Sequence, residues 1–293
     1  MDAFALLEEW LPAIEKERNF SFSRHTTIGS GGVAAVALNP NTIEEAAYCI
    51  AFLNDRQIPY CFLGAGANVL PCDGVFEGAV IRFQKIKPLY ASADFLYAGA
   101  GVTGGELLAF AKRHSVTGFE PFAGIPTTVG GGVAMNAGVA DAHFSDLVIR
   151  VIACERGKIK TFSHEECRFS LKQSIFLEGI AVLGVYFKAQ TAPQAEIQAR
   201  ILGYLNRRKH LPKGRSMGCT FVNPEGYSAG ELIDRCGLKG RRVGQAHISQ
   251  EHANFIINEG SSSADIARLI DETQEEVYRK TGILLREEIR RIP

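Results

Sequence analysis

The chain has 293 residues with 32 basic and 32 acidic side chains, so its formal net charge is zero. It is long enough for two or three domains with substantial cores, and its balanced charge gives no reason to expect nucleic acid or an anionic membrane as a partner. Its seven cysteines include no C-x-x-C pair, which argues against a disulfide framework or a zinc site and favours a reducing, cytoplasmic setting.

The first half of the chain predicts helices that alternate with strands. Segment 2–18 mixes acidic and apolar residues and predicts an amphipathic helix rather than a signal peptide, and no apolar run approaches the length of a membrane span. Thr42 with Glu45, and Thr103 with Glu106, have the spacing of a capping box, which predicts helices that end near residues 57 and 114. Strands are predicted at 60–63, 79–83 and 95–99.

The second half continues this mixture. Strands are predicted at 147–155 and 180–188, and a linker at 191–193 leads into a helix over 194–210. Ser228 with Glu231 predicts the start of a short helix. A strand at 253–258, a long amphipathic helix at 263–281 and a final strand at 283–292 follow. The mixture predicts an α+β fold.

The composition shift at the linker predicts a division of the chain into domains. The first domain would span 1–190, with subdomains of about 1–58 and 59–190, and the second would span 191–293. We also consider a return of the last strand to the first domain.

Two glycine segments carry the strongest functional signal. In the run 123–138, the glycines stand among small apolar residues, Pro126 is the breaker, and the amide Asn136 comes near the end. Such a run leaves backbone N–H groups bare, so a planar or phosphorylated ligand can lie against the main chain. The segment 64–68 directly follows a predicted strand, where main-chain amides can hold a pyrophosphate. Plain turns are the alternative, and neither segment is the G-x-G-x-x-G fingerprint of a nicotinamide dehydrogenase.

These segments resemble a known family. Gly64-Ala65-Gly66-Ala67-Asn68-Val69-Leu70 resembles the G-x-G-S-N-L-L loop of the UDP-N-acetylenolpyruvoylglucosamine reductase (MurB) family, and the run 123–138 resembles its A-G-I-P-G-T-V-G-G-A-x-x-M-N-A-G signature. Ordered matches, including GCTFVNP at 218–224, extend from about residue 24 to 290 and resemble the compact form of the family. The resemblance implies the FAD-binding fold of the vanillyl-alcohol oxidase / p-cresol methylhydroxylase type in domain 1–190, with two α/β subdomains, and an α+β substrate domain at 191–293.

The resemblance also implies an activity. The family uses NADPH and noncovalent FAD to reduce UDP-N-acetylglucosamine enolpyruvate to UDP-N-acetylmuramate, a step of peptidoglycan precursor synthesis that serves the cell wall, cell shape and cell division. We expect a cytoplasmic monomer that binds this substrate and NADPH, without nucleic acid, membrane or metal. The expected FAD contacts are Gly64, Ala65, Gly66, Ala67, Asn68, Gly124, Ile125, Thr128, Gly131, Gly132 and Asn136.

The resemblance implies catalytic residues with departures from the family pattern. Cys219 stands where the family has a serine proton donor, and a thiol, with an intrinsic pKa of about 8.5, can still donate a proton to a carbanion. Lys172 stands where the family has a carboxylate-binding arginine, so the charge is kept but the bidentate fork is lost. Glu288 takes the place of the family's glutamate, and we expect Lys172 and Glu288 to flank the enolpyruvyl group from opposite domains. The positions that match substrate contacts are Asn223, Lys239 and His252.

Further departures keep other interpretations open. Gly29 stands where the family has a basic residue, Thr127 where it has glycine, and Val222 where it has lysine. Cys219 as a packing residue and Lys172 as a solvated surface lysine would favour a flavoprotein oxidoreductase with an altered substrate. The same departures would also suit a protein that binds a flavin or UDP-sugar with reduced turnover.

Overall fold

The computed structural model describes residues 3–139 and 142–293. Within these ranges the chain forms eight α-helices, several of them short. They are α1 (Ala3–Trp10), α2 (Phe22–His25), α3 (Ile43–Asp55), α4 (Gly104–Arg113), α5 (Val129–Ala134), α6 (Gln194–Arg208), α7 (Ala229–Arg235) and α8 (Ser263–Thr281). Turns of 3-10 helix lie at Glu120–Phe122, Phe144–Asp146 and Ile175–Glu178. In these two ranges no helix combines the length and the apolar character that crossing a bilayer requires.

Strands are numerous and mostly short. In the first half they are β1 (Glu15–Ser21), β2 (Val33–Asn39), β3 (Tyr60–Phe62), β4 (Val69–Pro71), β5 (Val75–Ile81), β6 (Leu89–Ala91), β7 (Phe95–Gly99), β8 (Val116–Thr117), β9 (Gly138–Val139) and β10 (Ala142–His143). In the second half they are β11 (Val148–Glu155), β12 (Lys158–Ser163), β13 (Ala181–Lys188), β14 (Gln190–Thr191), β15 (Phe221–Val222), β16 (Arg242–Val243), β17 (Ala246–Ile248), β18 (Ile256–Asn258), β19 (Arg286–Glu287) and β20 (Arg290–Ile292). The mixture confirms the predicted α+β class.

The chain folds into two compact units, each built from more than one segment. The first unit comprises the N-terminal segment up to Arg18, Ala35–Ala65 and Glu77–Lys209. The second comprises Asn19–Ala34, Gly66–Phe76 and His210–Pro293. This grouping differs from a division near residue 190, because α6 belongs to the first unit and two early segments belong to the second.

Most residues of the two larger sheets belong to the first unit. Their strand orders are β1-β2-β5-β3 and β12-β11-β13-β7-β6. Helix α3 buries Ile50 and Leu53 in a cluster that also contains Ile81 and Leu183 from the two sheets. On a separate cluster, Val129 and Val133 of α5 are buried with residues of the five-stranded sheet, which fixes the glycine-rich helix on the core.

The second unit is held together by short ladders around its own core. Strand β20 pairs in parallel with β4, β15 pairs with β19, and β16-β17-β18 form an antiparallel sheet. Helix α8 contributes Ile266, Leu269 and Ile270 to the core, where they meet Phe221 and Ile289. The carboxylate of Asp73 accepts hydrogen bonds from the backbone N–H groups of the first turn of α8, at 3.1 and 2.9 Å. A negative group at a helix N-terminus stabilises it.

Helix starts were the best-predicted local features. Thr42 Oγ1 accepts a hydrogen bond from Glu45 N at 3.1 Å, and α3 begins at the next residue. Thr103 and Glu106 form a reciprocal capping box at the start of α4. The hydroxyl of Ser228 caps α7, and the predicted range of α8 is confirmed.

Several predicted helices and strands differ in extent from those in the structure. Segment 2–18 is not one helix, because Pro12 cannot continue the backbone ladder, and strand β1 begins at Glu15. The final segment forms two short strands, β19 and β20, with Glu288 and Ile289 between them. The predicted strand at 253–258 shortens to β18. Strand β12 was missed because its residues are mostly polar and exposed at the edge of the sheet.

Candidate active site

In the first unit, the two glycine segments meet backbone to backbone. A Cβ atom placed on Gly64 would lie 2.8 Å from Thr128 Oγ1 and 3.7 Å from the Cα of Gly131. Thr128 Oγ1 itself accepts a hydrogen bond from Gly131 N at 3.3 Å as the N-cap of α5. A Cβ on Gly131 would meet that same hydroxyl and, beyond the adjoining residues and backbone of α5, no other atom of the described residues within 4 Å. The Thr128 hydroxyl therefore occupies the space over Gly64, whereas the main chain at Gly131 is open enough for a ligand to lie flat against it.

The other glycines of α5 serve packing. Gly130 and Gly132 are buried, and their missing side chains make room for Ala100 and for the Phe144 ring, each 3.0 Å from an added Cβ. These contacts bring α5 close to the sheet. Packing against Phe144 thus explains why residue 132 is a glycine. Its predicted contact with a cofactor would come from its backbone.

The start of the run has a left-handed turn at Gly124, with a φ of +75°. An added Cβ there would lie 3.2 Å from Leu205 and 3.5 Å from Arg208 on α6, so that helix covers this turn. Thr127, which stands where the resemblance has glycine, is outside the group of residues with positive φ. Its hydroxyl donates to Thr128 O at 2.9 Å, so the β-branched residue is accommodated without left-handed strain.

Lys172 lies at the end of the glycine run. Its Nζ is 3.4 Å from Gly138 O, and the side chain is half-buried. The turn that carries it is fastened to the run by Ser174 Oγ, which donates to Ala134 O at 2.7 Å. Asn136 Nδ2 adds a second tie by donating to Ser170 O at 2.9 Å. The structure therefore brings Lys172 to the glycine segment, although these residues are more than thirty positions apart.

Both the nitrogen and the oxygen of the Asn136 side-chain amide form hydrogen bonds. In addition to the bond to Ser170, its Oδ1 accepts from Ser145 N at 3.0 Å. The residue is 3% exposed and has a φ of +42°. Its side chain thus organises the loops around the glycine run, and a role toward a cofactor would be one of support.

The second half of the 64–68 segment belongs to the second unit. Gly66 has a φ of +65°, and an added Cβ would lie 2.3 Å from His25 O, so no other residue fits without a backbone shift. Its carbonyl accepts from Thr27 N at 3.0 Å. Asn68 Nδ2 donates to Glu288 O at 3.0 Å, and Asn68 O accepts from Arg290 N at 2.9 Å. The segment is thereby attached to the strand end that carries Glu288.

Cys219 and Glu288 lie on neighbouring paired segments of the second unit. Glu288 N donates to Thr220 O at 2.8 Å, which extends the β15–β19 ladder by one residue on each side. Cys219 forms an isolated antiparallel bridge with Phe255. Both candidate residues are half-buried. The predicted proton donor is therefore adjacent in sequence to the residue that hydrogen-bonds the predicted glutamate.

His252 and Lys239 are electrostatic neighbours in the same unit. Burial lowers the pKa of His252, and the positive charge of Lys239 lowers it further, while a backbone hydrogen bond acts in the opposite direction. The ring nitrogen Nδ1 accepts from Asn254 N at 3.2 Å, so the neutral ring carries its proton on Nε2 and presents a donor there. Lys239 Nζ is 2.7 Å from Asp234 Oδ2. This pair offers a cation and a neutral donor, a combination that suits a phosphate or hydroxyl group.

Asn223 has a structural contact of its own. Its Oδ1 accepts from Ala229 N at 2.9 Å, which ties the loop after β15 to the start of α7. The residue is exposed.

Comparison with known proteins agrees with this geometry. A model for the C-terminal domain of UDP-N-acetylenolpyruvoylglucosamine reductase matches residues 209–292, and a model for an FAD binding domain matches residues 34–163. The reductase of Rickettsia felis is 34% identical over 96% of this chain and 98% of its own length. That of Moorella thermoacetica is 36% identical over 99% of this chain and 98% of its own.

The chain belongs to the UDP-N-acetylenolpyruvoylglucosamine reductase family.

Solved structures show the same relationship. The crystal structure of the reductase from Thermus caldophilus superposes with a TM-score of 0.82 at 34% identity, covering 96% of this chain and 99% of that one. A cholesterol oxidase from Brevibacterium sterolicum superposes with a TM-score of 0.51 at 14% identity over 61% of this chain and 38% of its own, which shows a shared fold alone. The predicted oxidase-type FAD-binding fold is confirmed, and FAD is the cofactor of this reductase-family member.

Some residues of the reductase-family site escaped sequence reasoning. Asn254 is 3% exposed, and its amide holds the backbone of Phe221 from both directions. Thr220 Oγ1 is buried, and no described residue gives it a hydrogen bond. Asn254 lies two residues after the expected substrate contact His252, but nothing in the sequence spacing indicates what its amide contacts.

Proposed function

We propose that this chain reduces the enolpyruvyl double bond of UDP-N-acetylglucosamine enolpyruvate and forms UDP-N-acetylmuramate, with NADPH as the reductant. The observation that carries the proposal is the Glu288 N to Thr220 O hydrogen bond, because it brings the two sequence-predicted acid groups, Cys219 and Glu288, onto adjacent segments. The full-length similarity to reductases of this name supports the choice of substrate. The reaction belongs to peptidoglycan precursor synthesis, and we place it in the cytoplasm, in a monomer.

The reaction adds a hydride and a proton across a carbon–carbon double bond. Bound FAD would supply the redox chemistry that links NADPH oxidation to reduction of the olefin. Hydride addition leaves an enolate-like carbanion beside the substrate carboxylate, so the protein must offset negative charge and deliver one proton. Different residues of this chain are proposed to deliver the proton and to offset the negative charge.

Cys219 is the proposed proton donor. A thiol S–H transfers its proton to the substrate carbanion, which forms the C–H bond and leaves a thiolate that must be reprotonated before the next cycle. Glu288 supports this step, either in its protonated form or by orienting a water. Asn68 fixes the backbone of Glu288 through its amide, and Thr220 fixes it through its carbonyl.

Lys172 is proposed to offset the negative charge of the substrate carboxylate and of the enolate. The ties from Ser174 and Asn136 hold its turn, and the ammonium group itself lies 3.4 Å from Gly138 O. An ammonium acts as a point charge and lacks the fork geometry of a guanidinium. The proposed contact is therefore electrostatic, and it does not require one fixed orientation of the substrate carboxylate.

The remaining predicted residues are proposed to bind ligands. Lys239 and His252 supply a cation and an Nε2–H donor to the UDP-sugar, and Asn223 supplies a polar contact. FAD is proposed to contact the backbone at Gly64 and to lie against the open backbone at Gly131. The remaining proposed cofactor residues are Ala65, Gly66, Ala67, Asn68, Gly124, Ile125, Thr128, Gly132 and Asn136.

A two-step spectroscopic experiment tests the function. Purified protein should be yellow, should lose its flavin absorbance with NADPH under anaerobic conditions, and should recover it when the UDP-sugar enolpyruvate is added. Acid precipitation should release the flavin, because its binding is noncovalent. Protein-linked flavin, or no flavin after reconstitution with FAD, would contradict the proposal.

A second candidate is a flavoprotein of this family with an altered substrate. The joint departures at Cys219, Lys172 and Val222 favour it. Bleaching by NADPH without recovery on addition of the UDP-sugar would select this candidate, and a screen of other enol ethers and unsaturated carboxylates would follow.

A further inference from the structure

Arg215 lies directly over Gly29 in the second unit. Gly29 has a φ of +64°, and a Cβ placed on it would be 2.7 Å from Arg215 Cδ and 3.3 Å from Nη1. The arginine therefore fills the space that a side chain at position 29 would need. The family pattern has a basic residue at this position, so a positive charge lost from one segment is present beside it on another.

The backbone of Arg215 is fixed next to the glycine segment. Arg215 O accepts from Asn258 N at 2.9 Å, and the following residue, Ser216, accepts from Thr27 Oγ1 at 2.6 Å. Thr27 N in turn donates to Gly66 O at 3.0 Å. A short chain of hydrogen bonds thus connects Arg215 to the segment 66–68.

The guanidinium group itself is available for a ligand. Arg215 is exposed, and the described part of the chain gives its side chain neither a hydrogen bond nor an ion pair. Arg268 on α8, by contrast, pairs with Glu272 at 2.9 Å. An arginine held over a left-handed glycine turn and without a carboxylate partner has the chemistry of an oxyanion-binding group.

We propose that Arg215 binds the diphosphate of a nucleotide and supplies the positive charge that Gly29 cannot. This inference rests on the proposed function, because FAD, NADPH and the UDP-sugar each carry a diphosphate. A guanidinium can donate two parallel hydrogen bonds to phosphate oxygens, and the Cδ contact with Gly29 limits the directions the group can take.

Binding measurements on Arg215→Gln, Arg215→Lys and the control Arg268→Gln test the proposal. Glutamine keeps a side chain over Gly29 but removes the charge, so it separates electrostatic binding from simple coverage. Apoprotein is titrated with FAD by fluorescence, and holoprotein is titrated with UDP and with NADP+ by calorimetry. Arg215→Gln should weaken the Kd of one of these nucleotides by roughly 10- to 100-fold, with Arg215→Lys intermediate and the control unchanged.

The three titrations distinguish the sources of the diphosphate. Selective loss with FAD assigns Arg215 to the flavin, and selective loss with UDP or NADP+ assigns it to the substrate or the reductant. Inorganic pyrophosphate should compete with the affected nucleotide in the parent and lose that ability in Arg215→Gln. Unchanged Kd values for all three ligands, or equal losses in the glutamine and lysine variants, would overturn the inference. Parent protein that binds UDP but no FAD would instead contradict the proposed function.

Discussion

Asn254 holds the backbone of Phe221 as a neighbouring strand would. Its Oδ1 accepts from Phe221 N at 2.9 Å, and its Nδ2 donates to Phe221 O at 2.8 Å. The carbonyl of Asn254 also accepts from Thr220 N at 2.7 Å. One buried residue therefore fixes the two residues that follow the candidate proton donor, Cys219, since its side chain holds Phe221 and its backbone carbonyl holds Thr220.

Asn254→Ala should impair the protein in two measurable ways. Loss of the amide leaves the N–H and C=O of Phe221 without these partners, so the free energy of unfolding should fall by about 1–3 kcal/mol per unsatisfied group. Reoxidation of the reduced protein by substrate should slow, because Cys219 and Glu288 lose their common support. Denaturant melts and stopped-flow absorbance measure the two effects. A variant that is destabilised but reoxidises at the parent rate would show that Asn254 supports only the fold.

Cys219→Ala should separate the half-reactions. Flavin bleaching by NADPH should stay near the parent rate, while reoxidation by the UDP-sugar should slow by roughly 10²- to 10⁴-fold, as expected for loss of a general acid. Cys219→Ser should retain substantial activity, and Cys236→Ala, which removes a buried cysteine of the same unit, is the matched control. Equal turnover in parent and Cys219→Ala would rule out the thiol as proton donor.

Lys172→Ala should weaken the second half-reaction. Loss of one charge-assisted contact corresponds to about 1.5–3 kcal/mol in transition-state stabilisation, measured as kcat/KM for the UDP-sugar. Lys172→Arg should match or exceed the parent where space permits, because the fork suits a carboxylate better. Lys188→Ala, an exposed lysine of the same unit, provides the comparison. A kcat/KM of Lys172→Ala equal to that of the parent would contradict the catalytic role and would favour the interpretation of Lys172 as a solvated surface lysine.

Gly66→Ala and Gly105→Ala should have opposite effects. An added Cβ at Gly66 meets His25 O at 2.3 Å in a left-handed conformation, whereas at Gly105 on α4 it meets nothing within 4 Å. We expect Gly66→Ala to destabilise the protein and lower FAD retention. Gly105→Ala should raise stability by roughly 0.5–1 kcal/mol, since alanine favours a helix over glycine. Thermal melts with and without added FAD give both results, and intact FAD binding in Gly66→Ala would contradict the assignment of this loop.

The lowered pKa of His252 predicts an acid-sensitive term in stability. As the pH falls below about 6.5, the unfolded ring takes up a proton while the folded ring resists, so unfolding becomes relatively favoured. This penalty is absent above that pH, grows as the pH falls, and becomes constant below the folded pKa. Comparison of melting temperatures of the parent and His252→Gln between pH 5 and 8 checks it. Parallel pH curves for the two proteins would contradict the prediction.

Local chemistry explains what the sequence could predict. Thr42, Thr103 and Ser228 were identified as caps because capping involves residues only three positions apart. The glycine segments could be identified from the sequence because glycine has no side chain to cover the backbone, so a glycine-rich segment indicates exposed main-chain groups. The Lys172 contact with Gly138 and the Asn68 contact with Glu288 join positions that are 34 and 220 residues apart. Local sequence periodicity cannot predict contacts between such distant positions.

Residue type also hid some roles. Asn136 is an expected cofactor contact, and its side chain also ties together two loops at Ser145 and Ser170, which its residue type does not indicate. Arg215 gave no signal in the sequence, because its position depends on the left-handed turn at Gly29. A polar side chain of a given type can hydrogen-bond other residues of the protein or bind a ligand. Only the positions of the neighbouring residues in the fold show which of these roles it has.

The discontinuous second unit has a consequence for the order of folding during synthesis. Strand β4 emerges early but must wait for β20, its parallel partner at Arg290–Ile292, before its ladder can close. Ile28 and Leu70 likewise enter a core whose other members lie beyond residue 216. Until the ribosome has released nearly the whole chain, these early apolar residues lack their native neighbours, so closure of this long loop is a natural slow step and a point of exposure to chaperones.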